Sequence, residues 1–183
     1  MKHFIKLFLF LALGPLTFNC YGQTSDTAKM SSLVVYGDEF MFSVHEPDGW
    51  KGDIDNAKDY YANIIFYKSK EDIDNGGALI QVFNFNKQDE KTENDLQSDI
   101  KTYIDKYKDL KQQDFSVTHK EYKCYSKLVY VENAVYQYIV YLNPGKKYKS
   151  GLSVAMNISK RPATEEELKA FREIIPSLIM LKG

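Results

Sequence analysis

Ala134-Val135-Tyr136-Gln137-Tyr138-Ile139-Val140-Tyr141-Leu142 alternates with the two-residue period of a pleated strand, and both of its sides are mainly apolar. Tyr136, Tyr138 and Val140 share one side, while Val135, Ile139 and Tyr141 share the other. Such a strand wants cover above and below. Its neighbours in the chain read as further strands. Phe115 to Lys120 and Tyr125 to Val131 precede it, with Glu132-Asn133 as a natural hairpin tip, and Tyr148 to Ser159 follows the Asn143-Pro144-Gly145 turn. In that last strand Leu152, Val154, Met156 and Ile158 lie on one side, and Ser153, Ala155, Asn157 and Ser159 on the other.

Two segments have the helical period needed for cover. Thr92 opens the first, with Asp95 in the capping-box position and Leu96, Ile100, Tyr103, Ile104 and Tyr107 recurring at helical spacing. Glu93 and Asp95 crowd its start and Lys106 and Lys108 its end, an order that suits the helix dipole. Thr164, boxed by Glu167, opens the second, which presents Leu168, Phe171, Ile174, Ile175 and Leu178 before Pro176 and the chain end limit it. Nearer the start, Leu33 to Tyr36 and Phe40 to Val44 form a hairpin across Gly37-Asp38, and Pro47-Asp48-Gly49 closes it ahead of Trp50. Tyr61 to Tyr67 and Ala78 to Phe85 make an antiparallel pair, joined through Asp74-Asn75-Gly76-Gly77. Two amphipathic helices separated by a run of antiparallel strands predict an α+β fold, a three-layer α/β/α sandwich around a mainly antiparallel sheet.

The N-terminus reads as an export signal. Lys2 and Lys6 supply a basic start, Leu7 to Leu13 an apolar run too short to span a bilayer, and Cys20-Tyr21-Gly22-Gln23 a small-residue cleavage context. Cleavage after Gly22 removes 22 of the 183 residues and leaves 161, a length that suits one domain over residues 33–183 behind a flexible lead-in at 23–32. It also removes two of the 24 basic residues and none of the 25 acidic ones, moving the formal net charge from −1 to −3. That balance argues against nucleic acid as a partner. The expected location is the periplasm or beyond, with no membrane span after cleavage. Lipid anchoring at Cys20 is the alternative, against which Thr17 and Asn19 stand where a lipobox wants Leu and a small residue. Cys20 and Cys124 are the only cysteines, so a disulfide scaffold is not expected.

The order of elements and the phrase Phe40-Met41-Phe42-Ser43-Val44-His45-Glu46-Pro47-Asp48-Gly49-Trp50 resemble the PsbP-like superfamily, named for an extrinsic subunit of the photosynthetic oxygen-evolving complex. Ile174-Ile175-Pro176-Ser177-Leu178 resembles the superfamily's closing helix and Ser-hydrophobic tail, although Pro176 departs from it. The likeness runs from about Leu33 to Leu181 and rests on shape and two short phrases. It implies an α/β/α sandwich used as a docking module, with no catalytic residues to carry over.

The chemical candidates are few. Asp53-Ile54-Asp55-Asn56-Ala57-Lys58-Asp59 alternates oxygen donors like a calcium loop, but Lys58 stands where Gly is needed and Ile64 where Glu is needed; Asp72 to Gly77 fails likewise at Phe83. His45 and His119 have no ligand-like spacing, and Cys124, beside Lys123, lacks a motif that recruits a base. No catalytic, cofactor-binding or metal-binding residue is therefore assigned, and no cofactor is expected. Lys146, Lys147 and Lys149, flanked by Gly145 and Gly151, are the candidate partner contacts, for an acidic protein or anionic lipid. Tyrosines 122, 125, 130, 136, 138, 141 and 148 fit core and edge packing, and Trp50 fits an anchor for its turn. The leading expectation is an exported, non-enzymatic module that docks on a protein or cell-envelope component. The alternative is a small-ligand or lipid carrier whose cavity, between sheet and helix, is lined by Phe83, Phe85, Tyr103 and Tyr107. A hydrolase with an unrecognised site ranks last.

Overall fold

A computed structural model describes residues 32–183. The leader and nearly all of the lead-in expected from the sequence lie outside the described residues. In chain order the elements are β1 (Ser32–Tyr36), β2 (Met41–His45), β3 (Lys51–Asp53), a 3-10 turn (Ala57–Tyr60), β4 (Ile64–Tyr67), α1 (Lys70–Asp74), β5 (Leu79–Asn86) and α2 (Thr92–Lys106). They continue with β6 (Lys111–Asp114), β7 (Lys123–Val131), β8 (Val135–Asn143), β9 (Ser150–Ser159), α3 (Glu165–Ser177) and β10 (Ile179–Lys182). The fold is mixed α+β, with antiparallel pairing throughout the two sheets among the described residues. One sheet has the order β1-β2-β10, and the other β3-β4-β5-β9-β8-β7-β6.

Strand β8 lies inside the larger sheet between β9 and β7, so its two sides face different hydrophobic clusters. Tyr138 and Val140 join Val154, Met156, Ile80, Phe66 and Phe42 with Phe171 and Ile174 of α3. Ile139 joins Val129 with Leu96 and Ile100 of α2, and Tyr141 packs against that group. A third cluster gathers Ala57, Ile65, Tyr67 and Leu79 near the β4 edge. The alternation read in the chain sets this division, because a pleated strand sends successive side chains to opposite faces. Each fully buried apolar side chain contributes about 1.5–3 kcal/mol. Aromatic geometry adds order to the α3 side: Phe115 meets Tyr138 edge-on at 5.1 Å.

Local chemistry explains the ends of the elements. Gly49 has φ +73 in the turn where Trp50 N donates to Pro47 O at 3.0 Å, and Trp50 is buried beyond it. Asn133, at φ +57, takes the left-handed position of the β7–β8 tip, which asparagine tolerates. At the start of α3, Thr164 Oγ1 accepts from Glu167 N at 3.3 Å while the Glu167 carboxylate accepts from Thr164 N at 2.7 Å, the reciprocal box expected there.

Several expectations need correction. Phe115 to Lys120 is not a strand. The strand of this region is β6, four residues earlier, whose all-polar Lys111-Gln112-Gln113-Asp114 is exposed along its length and pairs with β7 at the sheet edge. Exposed ion pairs Lys111–Glu132 and Lys127–Asp114, both 2.6 Å, flank the backbone pairing, while Phe115 and Val117 turn inward to the core. The capping box at Thr92 does not form. Lys91 occupies the N-cap, Asp95 Oδ1 accepts instead from Gln88 N at 3.2 Å, and Asp89 takes Lys91 N and Asn94 Nδ2. Pro176 does not stop its helix, which runs on to Ser177. The chain after it forms β10 against β2, a strand not expected from the sequence. The connection from β4 to β5, of which only the Asp74-Asn75-Gly76-Gly77 turn was expected, also contains α1, capped by Ser69.

Candidate functional site

The side of the larger sheet that carries Gln81, Ala155 and Ile139 is unevenly furnished. Ile139 is covered by α2, and Ile65 and Leu79 lie in the cluster by the 3-10 turn. Between them β9 contributes only Ser153, Ala155 and Asn157, whereas its opposite side carries Leu152, Val154, Met156 and Ile158. Short side chains in the middle of a face, with bulk to either side, leave space. The result is a cleft of about 660 Å³, within the range of small-molecule sites.

Its floor comes from β5, β8 and β9, with Gln81, Phe83, Phe85, Gln137, Tyr141, Ser153, Ala155 and Asn157. One wall is Asp99 and Tyr103 of α2, continued by Tyr107 and Leu110, and the other is Tyr60 and Tyr61. The four residues expected to line a cavity, Phe83, Phe85, Tyr103 and Tyr107, thus all line this one. The floor's amides are tied together: Asn157 Nδ2 donates to Gln81 Oε1, Gln81 Nε2 to Tyr60 O at 2.7 Å, and Gln137 Nε2 to Tyr103 Oη at 2.9 Å. Tyr141 Oη donates to Asp99 Oδ2 over 3.4 Å, and its ring meets Phe85 edge-on at 4.9 Å. Burial raises the pKa of Asp99, and burial together with the Asp99 charge pushes the Tyr141 phenol well above its usual range. Tyr61 stands at the rim, 90% exposed and at φ +52, a conformation that costs a residue other than glycine energy.

Asp99, Tyr60, Tyr61 and Tyr141 were missed as site residues by sequence reasoning. The available signal was the polar, short-chained side of β9 set against the fully apolar other side. Without tertiary pairing nothing in the chain says which residues face it.

The remaining candidates lie elsewhere. Lys146, Lys147 and Lys149 are exposed on the β8–β9 connection, in a depression shared with Lys87 and Lys182 but also with Asp38, Glu39, Asp89 and Glu90. Lys146 pairs with Glu90 at 2.7 Å, and Lys147 Nζ lies 5.3 Å from the Tyr148 ring centroid. His45 ends β2, its backbone N donating to Ser177 Oγ at 3.0 Å. His119 Nδ1 accepts from Glu121 N and Tyr122 N at 3.1 and 3.0 Å, while Nε2 lies 3.0 Å from Leu178 O. Cys124 packs against the core, its Sγ 3.7 Å from Tyr122 O, and burial pushes its thiol up, away from the thiolate a nucleophile needs. The Asp53 carboxylate accepts from Asn56 N, Asn56 Nδ2 and Tyr67 Oη at 2.8–3.0 Å, so it serves its own turn. Among the described residues no three His, Cys, Asp or Glu side chains are grouped to hold a metal ion, and no helix is long and apolar enough to cross a membrane.

Comparison with known proteins finds no family model that matches this chain and no curated protein similar to it in sequence.

Proposed function

We propose that this chain is a non-enzymatic binding module that holds a small, largely apolar molecule in the cleft between α2 and the larger sheet. The observation that carries this is the cleft itself, about 660 Å³ with Phe83, Phe85, Tyr103 and Tyr107 around it. Aromatic walls supply most of the contact area, and a few polar groups on the floor orient the guest. We read the helices on the two faces of the larger sheet as the outer layers of an α/β/α sandwich of the PsbP-like kind. Together with the leader expected in residues 1–22, this makes the module an exported one, acting in the periplasm or outside the cell.

Fluorescence titration with the neutral probe N-phenyl-1-naphthylamine tests the reading. Saturable enhancement is expected from the wild type and loss of it from Ala155→Phe, which places a ring in the open floor. A flat wild-type titration overturns the proposal.

Docking on an anionic protein or cell-envelope partner through Lys146, Lys147 and Lys149 is a second use, favoured by the exposure of all three on one connection. Salt-sensitive binding to anionic vesicles, lost on triple alanine replacement, supports it. Equal binding by the triple variant removes it.

A further inference from the structure

The cleft's lining has a one-sided charge. Among the described residues it contains one carboxylate, Asp99, and no Lys, Arg or His. Asp99 is half-buried on the inner side of α2 and accepts the long hydrogen bond from Tyr141. Asp95, one helical turn earlier, lines the adjoining depression together with Asp99, Phe85 and Tyr141. Its Oδ2 is buried with no partner among the described residues. Lys87 acts electrostatically on Asp95 but does not line the cleft. This end of the cavity therefore combines negative potential with aromatic rings.

We infer that the ligand is an organic cation, an amine or quaternary ammonium on an apolar body, with its charged head beside Asp99 and against Phe85, Tyr103 and Tyr141. The inference rests on the ligand-binding reading above and names the class of guest. Three physical arguments favour a cation over an anion or a neutral molecule. A carboxylate half out of water and weakly hydrogen-bonded gains most from a counter-charge, because the local dielectric is lower than that of bulk water. Aromatic faces carry the negative part of the ring quadrupole and attract cations, including those that donate no hydrogen bond. The floor amides Gln81, Asn157 and Gln137 already bond to one another or to Tyr60 and Tyr103, which leaves charge as the main basis for choosing a guest. An anion would meet Asp99 with no compensating cation among the described residues of the lining.

The test uses an isosteric pair, (4-hydroxyphenyl)trimethylammonium and 4-tert-butylphenol, as competitors of N-phenyl-1-naphthylamine at neutral pH. The cation is expected to compete at least about tenfold better than its neutral twin. In Asp99→Asn that ratio falls towards one, with folding checked by circular dichroism. Asp105→Asn, which removes an exposed α2 carboxylate outside the cleft lining, keeps the preference. If the two competitors are equal in the wild type, or if Asp99→Asn keeps the full preference, the inference falls while the binding cleft stands. If the naphthylamine probe does not bind, the cleft reading falls and takes the inference with it.

Discussion

Glu167 and His119 show how single side chains set the response of this protein to acid. Burial by itself would raise the pKa of Glu167, but the Arg161 guanidinium, bonded to both carboxylate oxygens at 2.7 Å, and the Thr164 box hold it at about 2. Its ordinary value is 4.5, so this stabilisation is complete above pH 4.5 and is lost as pH falls towards 2. The loss is on the order of 2 kcal/mol, allowing for the solvent-exposed guanidinium. His119 is also depressed, by burial, from 6.5. Nδ1 accepts two backbone N–H groups and must stay unprotonated to do so, so the neutral ring is the folded form. Stability is therefore expected to be full above pH 6.5 and to begin falling below it, ahead of the Glu167 step. Urea midpoints measured across pH check both: Glu167→Gln removes the lower step and His119→Gln the upper. Tyr61 poses the opposite case, a strained residue at the rim of the cleft. Tyr61→Gly is expected to leave stability unchanged or raise it by up to about 1 kcal/mol while weakening probe binding, a pair of changes readable by thermal unfolding and titration.

The two long helices begin with the same sequence signal and use it differently. Thr164 and Glu167 close a reciprocal box, whereas Thr92 is already inside its helix with Oγ1 buried and unpartnered among the described residues. Thr164→Ala is expected to cost about 1 kcal/mol, and Thr92→Val to cost nothing or to stabilise slightly, since it replaces an unbonded hydroxyl by a methyl of similar size. Denaturant midpoints of the two variants decide it. The contrast also shows what is legible at this scale. The helices, the β7–β8 and β8–β9 hairpins, and the side-chain division of β8 and β9 follow from period and turn residues in the chain. The edge strands β6 and β10 do not, because β6 is wholly polar and β10 is only four residues long and follows a proline-containing helix. Their backbone pairing is imposed by β7 and β2, with no alternation of their own to announce it.

Across the whole molecule, the larger sheet is asymmetric, and the asymmetry separates stability from binding. Val154 and Ala155 are consecutive in β9, yet Val154 lies in the main core and Ala155 on the floor of the cleft. Val154→Ala is expected to lose about 2 kcal/mol of stability with little effect on the naphthylamine probe, and Ala155→Leu to do the reverse. Calorimetry and probe titration on the two variants measure both arms. The chain by itself determined that β8 would be apolar on both sides, that two helices would carry matching apolar faces, and that Phe83 would share a strand face with Phe85 and Tyr103 a helix face with Tyr107. These depend on periods of 2 and 3.6 residues, which are local properties of the backbone. Tertiary structure decided the rest. Asp99, Tyr61 and Tyr141 come from α2, the segment after the 3-10 turn and β8. Only strand order and the seat of α2 bring a lone carboxylate and aromatic faces to one cavity, because an enclosed space is made by contacts distant in sequence.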